Sequence, residues 1–96
     1  MNLSEIYSAQ SYRSEMIIKE KRENKDYVVK VAYMADDDNM IAVLVDGHHS
    51  FEASKIDGVH PEIEVVESEY KSLEEYVIAF GDLSNPVSVI TGKEIW

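Results

Sequence analysis

The feature that most constrains the fold is the apolar run from Met40 to Val45, the longest in the chain. A continuous run without polar alternation is typical of a strand that is covered on both faces of a sheet. Such a strand needs other strands beside it and a layer packed on each face, so it predicts a layered domain. The run is much shorter than the ~20 apolar residues that span a bilayer, so we expect no membrane insertion and no membrane partner.

A second strand is predicted just before this run. Residues 27–34 alternate with period two and are rich in β-branched and aromatic side chains, which is the signature of a strand. The polar residues 36–39 favour a turn, because aspartate and asparagine side chains bond their own backbone. Residues 27–34 and 40–46 are therefore predicted to form an antiparallel hairpin.

Two helices and a further strand complete the predicted frame. Ser50 can cap a helix over residues 51–57, and a capping box at Ser72 to Glu75 begins a helix over residues 72–80. Between them, residues 62–67 are predicted to form a strand with Ile63 and Val65 facing inward. Weaker patterns predict a helix over 2–10, a strand over 15–20, a turn over 21–26, and either an edge strand or a docked segment over 87–90.

These elements predict a single α+β domain over residues 1–96. A small mixed β-sheet with two or three short helices is the expected architecture, because 96 residues leave room for one core. Cysteine is absent, which excludes disulfides, thiolate zinc sites and cysteine nucleophiles. The N-terminal residues lack a signal-peptide pattern, and we expect a cytoplasmic location.

The charge of the chain limits its partners. Nine basic and nineteen acidic side chains give a net charge of −10. After residue 30 there are fourteen acidic groups and three basic ones. Binding to duplex DNA depends on neutralising phosphates, so we expect no strong DNA binding by the isolated chain. An acidic surface of this kind favours a basic protein partner.

One segment carries candidate chemistry: Asp46, Gly47, His48, His49 and Ser50, between a buried strand and a helix. Free backbone N–H groups at a helix N-terminus attract anions, glycine allows close approach of a phosphate, and histidines can donate hydrogen bonds. The competing interpretation is a structural turn. No metal site is expected, because adjacent histidines point apart and no other ligands complete a set.

The segment, with Glu52, Ala53 and Lys55 after it, resembles the strand–turn–helix box of the ParB/sulfiredoxin superfamily over residues 40–66. The resemblance implies a ParB-like fold that holds nucleotide phosphates, of CTP or ATP/ADP with Mg²⁺, on this box. It also implies a phage, plasmid or other mobile-element origin.

The chain departs from the family box at one position. Ser50 stands where the family usually has an arginine, whose planar donors bind phosphate in pairs. The chain therefore resembles a minimal or degenerate member with a weakened phosphate site, and an enzyme is the less favoured interpretation. The alternative is a non-catalytic acidic interaction or inhibitor protein that retains the fold. If the site has lapsed, Ser50→Arg is expected to raise nucleotide affinity.

Overall fold

Backbone hydrogen bonding assembles eight regular elements around the predicted hairpin. The computed structural model describes residues 2–83 and 85–96. A 3-10 turn at Leu3–Glu5 precedes the first strand. In chain order the elements are β1 (Ile6–Ser8), α1 (Glu15–Glu23), β2 (Val28–Asp36), β3 (Asn39–Asp46), α2 (His48–Asp57), β4 (Glu62–Val65), α3 (Leu73–Phe80) and β5 (Val87–Ser88).

The strands form one mixed sheet in the order β4-β2-β3-β1-β5. The β2–β3 hairpin and the β1–β5 pair are antiparallel, whereas β1 runs parallel to β3 and β4 runs parallel to β2. Five strands and three helices make a small α+β domain. The predicted hairpin and mixed sheet are confirmed.

The core lies on both faces of this sheet, as the apolar run in β3 predicts. On one face Leu44 packs with Phe51 of α2. On the other face Val43 packs with Leu73 and Tyr76 of α3. Both β3 side chains are fully buried. Helix α1 contributes no buried residue and packs on the outside of α2.

The predictions for the first 26 residues are wrong. Residues 2–10 form the 3-10 turn and β1 instead of a helix, because Ile6 is fully buried between β3 and β5 and pairing in the sheet outweighs the helical spacing. Residues 15–20 begin α1 instead of a strand, because the Ser14 hydroxyl caps the helix by accepting the N–H of Ile17. The helix extends to Glu23, so only the end of the predicted 21–26 turn remains.

The later elements agree better with their predictions. Helix α3 is capped by Ser72 as expected, and residues 87–88 form an edge strand. Strand β4 ends at Val65 and not at residue 67. Ile63 is partly buried as predicted, but the prediction that Val65 faces inward is wrong, because Val65 is the last residue of an edge strand and is exposed. Helix α2 begins at residue 48, not 51, because Gly47 rather than Ser50 occupies the N-cap position.

Gly47 allows α2 to begin directly after β3. Its φ of 86° lies in the left-handed region that favours glycine. A Cβ at this position would lie 2.6 Å from the carbonyl oxygen of Val28 and 2.8 Å from the Cα of Val29. The turn is therefore pressed against β2, and only a residue without a side chain fits.

The parallel pairing of β1 with β3 sets which loops are neighbours. Ile6 is paired with Ala42 and Tyr7 with Val43, so the chain leaves both strands at the same edge of the sheet. The segment 9–14, which leads to α1, therefore lies beside the turn that begins α2. In α/β folds this edge, outside the carboxyl ends of parallel strands, is where ligands commonly bind.

Alanine substitution of the glycines that flank α2 separates backbone strain from crowding. Gly58 also has a positive φ, 66°, but nothing lies within 4 Å of a Cβ there. We expect Gly58→Ala to lower the free energy of unfolding by ~1–2 kcal/mol, through strain alone. Gly47→Ala adds the collision with β2 and should cost at least ~2 kcal/mol more, measured by urea denaturation. If Gly47→Ala and Gly58→Ala lower the free energy of unfolding equally, the turn can move away from β2.

Candidate anion site at the start of helix α2

The start of α2 presents free backbone donors. The first hydrogen bond of the helix runs from Phe51 N–H to the carbonyl of Gly47 at 2.8 Å, so the N–H groups of residues 48–50 have no acceptor within the helix. Gly47 offers no side-chain cap, whereas α1 and α3 are capped by serine hydroxyls. The three N–H groups and the helix dipole leave partial positive charge at this end.

His48 adds a buried polar nitrogen without a partner. The residue is only 8% exposed, and its Nε2 makes no hydrogen bond to any described residue. Burial is the main reason that the pKa of His48 falls to about 4, and the positive charge of Arg13 lowers it further. The ring is therefore neutral at pH 7, and it can offer a hydrogen bond but no charge.

Arg13 supplies the charge beside this histidine. Its Nη1 donates to the carbonyl oxygens of Gln10 at 3.2 Å and Tyr12 at 2.8 Å, which fixes the guanidinium. Its buried Nε lies 3.5 Å from Oε1 of Glu52, close enough for an ion pair but without hydrogen-bond geometry. Within residues 2–83 and 85–96, the buried side-chain nitrogens that lack a hydrogen bond are this Nε and Nε2 of His48.

His49 has a structural partner. Its Nε2 accepts the backbone N–H of Ser14 at 3.1 Å, and the ring of Tyr12 packs edge-on against it with centroids 5.8 Å apart. Burial, followed by the charge of Arg13, lowers the pKa of His49. The neutral ring thus ties the start of α1 to the start of α2, and Nε2 is not free to bind a ligand.

Ser50 lies inside the structure and not at its surface. The residue is 2% exposed. The pKa of Asp26 is lowered, mainly by the Lys21 ammonium and to a smaller extent by the side chain of Ser50. An arginine at position 50 would overpack this interior, so Ser50→Arg is a poor test of phosphate binding.

Carboxylates surround the site and oppose an anion. Asp46 is exposed, and its Oδ1 accepts the N–H of Gly47 at 2.8 Å. Asp82 accepts the N–H of Ser11 at 2.7 Å. Glu52, which faces Arg13, also forms an ion pair with Lys55 at 3.2 Å. Each carboxylate has a local partner, but together they reduce the attraction of the site for a free phosphate.

The fold brings together part of the predicted set and adds a residue that sequence analysis missed. Gly47 and His48 lie at the helix start as expected, whereas the His49 side chain accepts the N–H of Ser14 and Ser50 is buried. Arg13 lies far from the motif in the sequence, in a segment for which no element was predicted. Only the pairing of β1 with β3 reveals that it is a neighbour.

Other features of the described structure lie apart from this site. Two surface cavities, of 270 Å³ and 390 Å³, are lined by residues outside 46–50. Residues 2–83 and 85–96 contain no group of three histidine or acidic side chains that could hold a metal ion. No helix in the same ranges is long and apolar enough to cross a membrane.

Comparison with protein-family models, with curated proteins and with solved structures found no match for this chain. The function must therefore be inferred from the residues and their geometry.

His48 should make stability depend on pH. Because its pKa falls from 6.5 to about 4 on folding, the unfolded chain binds the proton more readily between these values. The stabilising contribution of the neutral ring is complete above pH ~6.5 and is lost as the pH falls toward ~4, by up to ~3 kcal/mol. We expect His48→Gln to flatten the dependence of unfolding free energy on pH over this range.

His60, which is exposed, provides the matched control for this measurement. The His60→Gln variant should retain the pH dependence of the wild type in urea titrations between pH ~7 and ~4.5. An equal flattening in both variants would contradict the assignment to His48.

Proposed function

We propose that the chain is a ParB-like, non-catalytic domain that binds the phosphates of a nucleotide at the start of α2. The observation that carries the proposal is the pair of buried nitrogens without hydrogen bonds, Arg13 Nε and His48 Nε2, beside an uncapped helix N-terminus. Buried polar atoms are nearly always satisfied. One of these atoms belongs to the first residue of α2 and the other lies 3.5 Å from Glu52 of the same helix, so together they favour a polar ligand at this end of α2.

Arg13 would take the part that arginine plays in the family box. Two of its donors on Nη1 are used by backbone carbonyls, which leaves the Nε and Nη2 edge of the guanidinium. This edge is the one that binds two oxygens of a phosphate in parallel. The Glu52 carboxylate faces Nε in this structure. When a phosphate displaces this carboxylate from Nε, the ion pair with Lys55 would still hold it.

Charge sets the expected strength and the need for a cation. The carboxylates of Asp46, Glu52 and Asp82 and the net charge of −10 all repel a triphosphate. Mg²⁺ bound to the phosphates of CTP, ATP or ADP would reduce this repulsion. We therefore expect affinities in the high micromolar range, with binding improved by Mg²⁺.

The two arginines of the chain allow a matched test. Arg13 lies at the beginning of α2, whereas Arg22 pairs with Asp57 at its end, with Nε and Oδ1 2.7 Å apart. We expect Arg13→Gln to weaken nucleotide binding about tenfold to a hundredfold, since a charge-assisted hydrogen bond contributes ~1.5–3 kcal/mol. Arg22→Gln removes the same charge and should leave binding within a factor of about three. Calorimetric titration with CTP, ATP, ADP and GTP, with and without Mg²⁺, measures both.

Two results would contradict the proposal. Equal losses in Arg13→Gln and Arg22→Gln would show that only the overall charge matters. If the folded wild type binds none of the four nucleotides at millimolar concentration, the chain does not have this function.

A further inference from the structure

A separate cavity of 270 Å³ lies on the sheet face that α3 covers. Its inner surface is apolar and belongs to the core, with Ala32 and Met34 of β2 each 1% exposed. The segment that leads from β4 to α3 forms one wall, and α3 forms the opposite wall. The hydroxyl of Ser68 shapes this segment by accepting the N–H of Tyr70 at 3.0 Å and donating to its carbonyl at 2.6 Å.

Three aromatic rings line the cavity. Tyr70 lies edge-on to Phe80 and Tyr76, with centroids 5.5 Å and 6.0 Å apart. Tyr76 is nearly buried, whereas Phe80 is 53% exposed at the rim. An exposed phenylalanine next to a preformed apolar depression is typical of an interaction surface, because aromatic anchors contribute much of the energy of protein interfaces.

The rim is acidic. Glu67 and Glu69 line the cavity and are exposed. Between residues 62 and 82 there are seven acidic side chains and one lysine. Asp46 directly follows Val45, which lines the cavity. A partner that inserts an apolar group here would therefore meet negative charge on several sides.

The volume of 270 Å³ is large enough for one inserted side chain and lies at the lower end of the ~300–1,000 Å³ that is usual for small-molecule pockets. Charged glutamates around an apolar depression match a peptide that has an apolar residue between lysines or arginines.

We propose that this cavity, the α3 cavity, is the docking site for a basic segment of a protein partner, which inserts one apolar side chain into the cavity against Tyr70 and Phe80. The flanking lysines or arginines of that segment pair with Glu67 and Glu69. The proposal does not depend on nucleotide binding at α2, because the residues that would contact the peptide, Tyr70, Phe80, Glu67 and Glu69, take no part in the α2 site.

Fluorescence anisotropy with labelled synthetic peptides tests this proposal. Each peptide has one central residue, either leucine, methionine, phenylalanine, glycine or trimethyllysine, flanked on both sides by lysines and arginines. We expect at least one peptide with leucine, methionine or phenylalanine at its centre to bind at least about tenfold more tightly than the glycine peptide. Equal binding of the glycine peptide, tighter binding of trimethyllysine, or no binding of any peptide at about 1 mM would overturn the proposal.

Matched variants locate the binding surface. Phe80→Ala should weaken the best peptide by about tenfold, whereas Ile78→Ala, on the same helix but outside the cavity, should change affinity less than about threefold. The double variant Glu67→Lys with Glu69→Lys should weaken binding by about tenfold or more. Glu20→Lys with Glu23→Lys, which changes the charge equally on α1, should have a much smaller effect.

Equal losses in the two double variants would overturn the proposal, because they would show attraction to net charge alone. Arg13→Gln distinguishes this proposal from nucleotide binding. Arg13 contacts the cavity only through the carbonyl of Gln10, so that variant should weaken peptide binding much less than Phe80→Ala does. A loss as large as that of Phe80→Ala would place the peptide at α2 instead of the α3 cavity.

Discussion

The parallel pairing of β1 with β3 is the interaction on which the candidate site depends. Because β3 is buried on both faces, it lies inside the sheet and needs a neighbour on each side. On one side that neighbour is β1, which runs in the same direction, so the chain leaves both strands at the same edge. This arrangement brings Arg13 and Ser14, which follow β1, against Glu52 and His49 of the helix that follows β3.

The two adjacent histidines show how one motif can combine structural and ligand-binding groups. His49 accepts a backbone N–H from Ser14 and holds two helices together. His48 is equally uncharged, but its Nε2 has no such partner, and the Nε of Arg13 also lacks a hydrogen bond. Because the ring of His49 has a hydrogen-bond partner and that of His48 has none, the side chains at this turn with nitrogens still available to a ligand are those of His48 and Arg13.

The fold could be predicted where the local sequence signals were strong. Where these signals were short, they led to the wrong element. Alternation in β2, the apolar run in β3 and the serine cap of α3 are local properties, and each element appears where its pattern predicts. Ile6 and the apolar residues 16–18 have spacings that fit either a helix or a strand, so the tertiary position decides between them. Likewise the 46–50 turn was visible in the sequence, but Arg13 was not, because only the sheet makes it a neighbour.

Nuclear magnetic resonance of the nitrogen-labelled protein tests most directly whether the start of α2 binds anions. Pyrophosphate serves as the probe, since it carries the phosphate charge without a base or sugar. We expect pyrophosphate to shift the backbone amides of residues 48–50 and the ring nitrogen of His48 more than any other signals. Shifts concentrated in the lysine-rich residues 19–25, or no shift at millimolar pyrophosphate, would contradict this expectation.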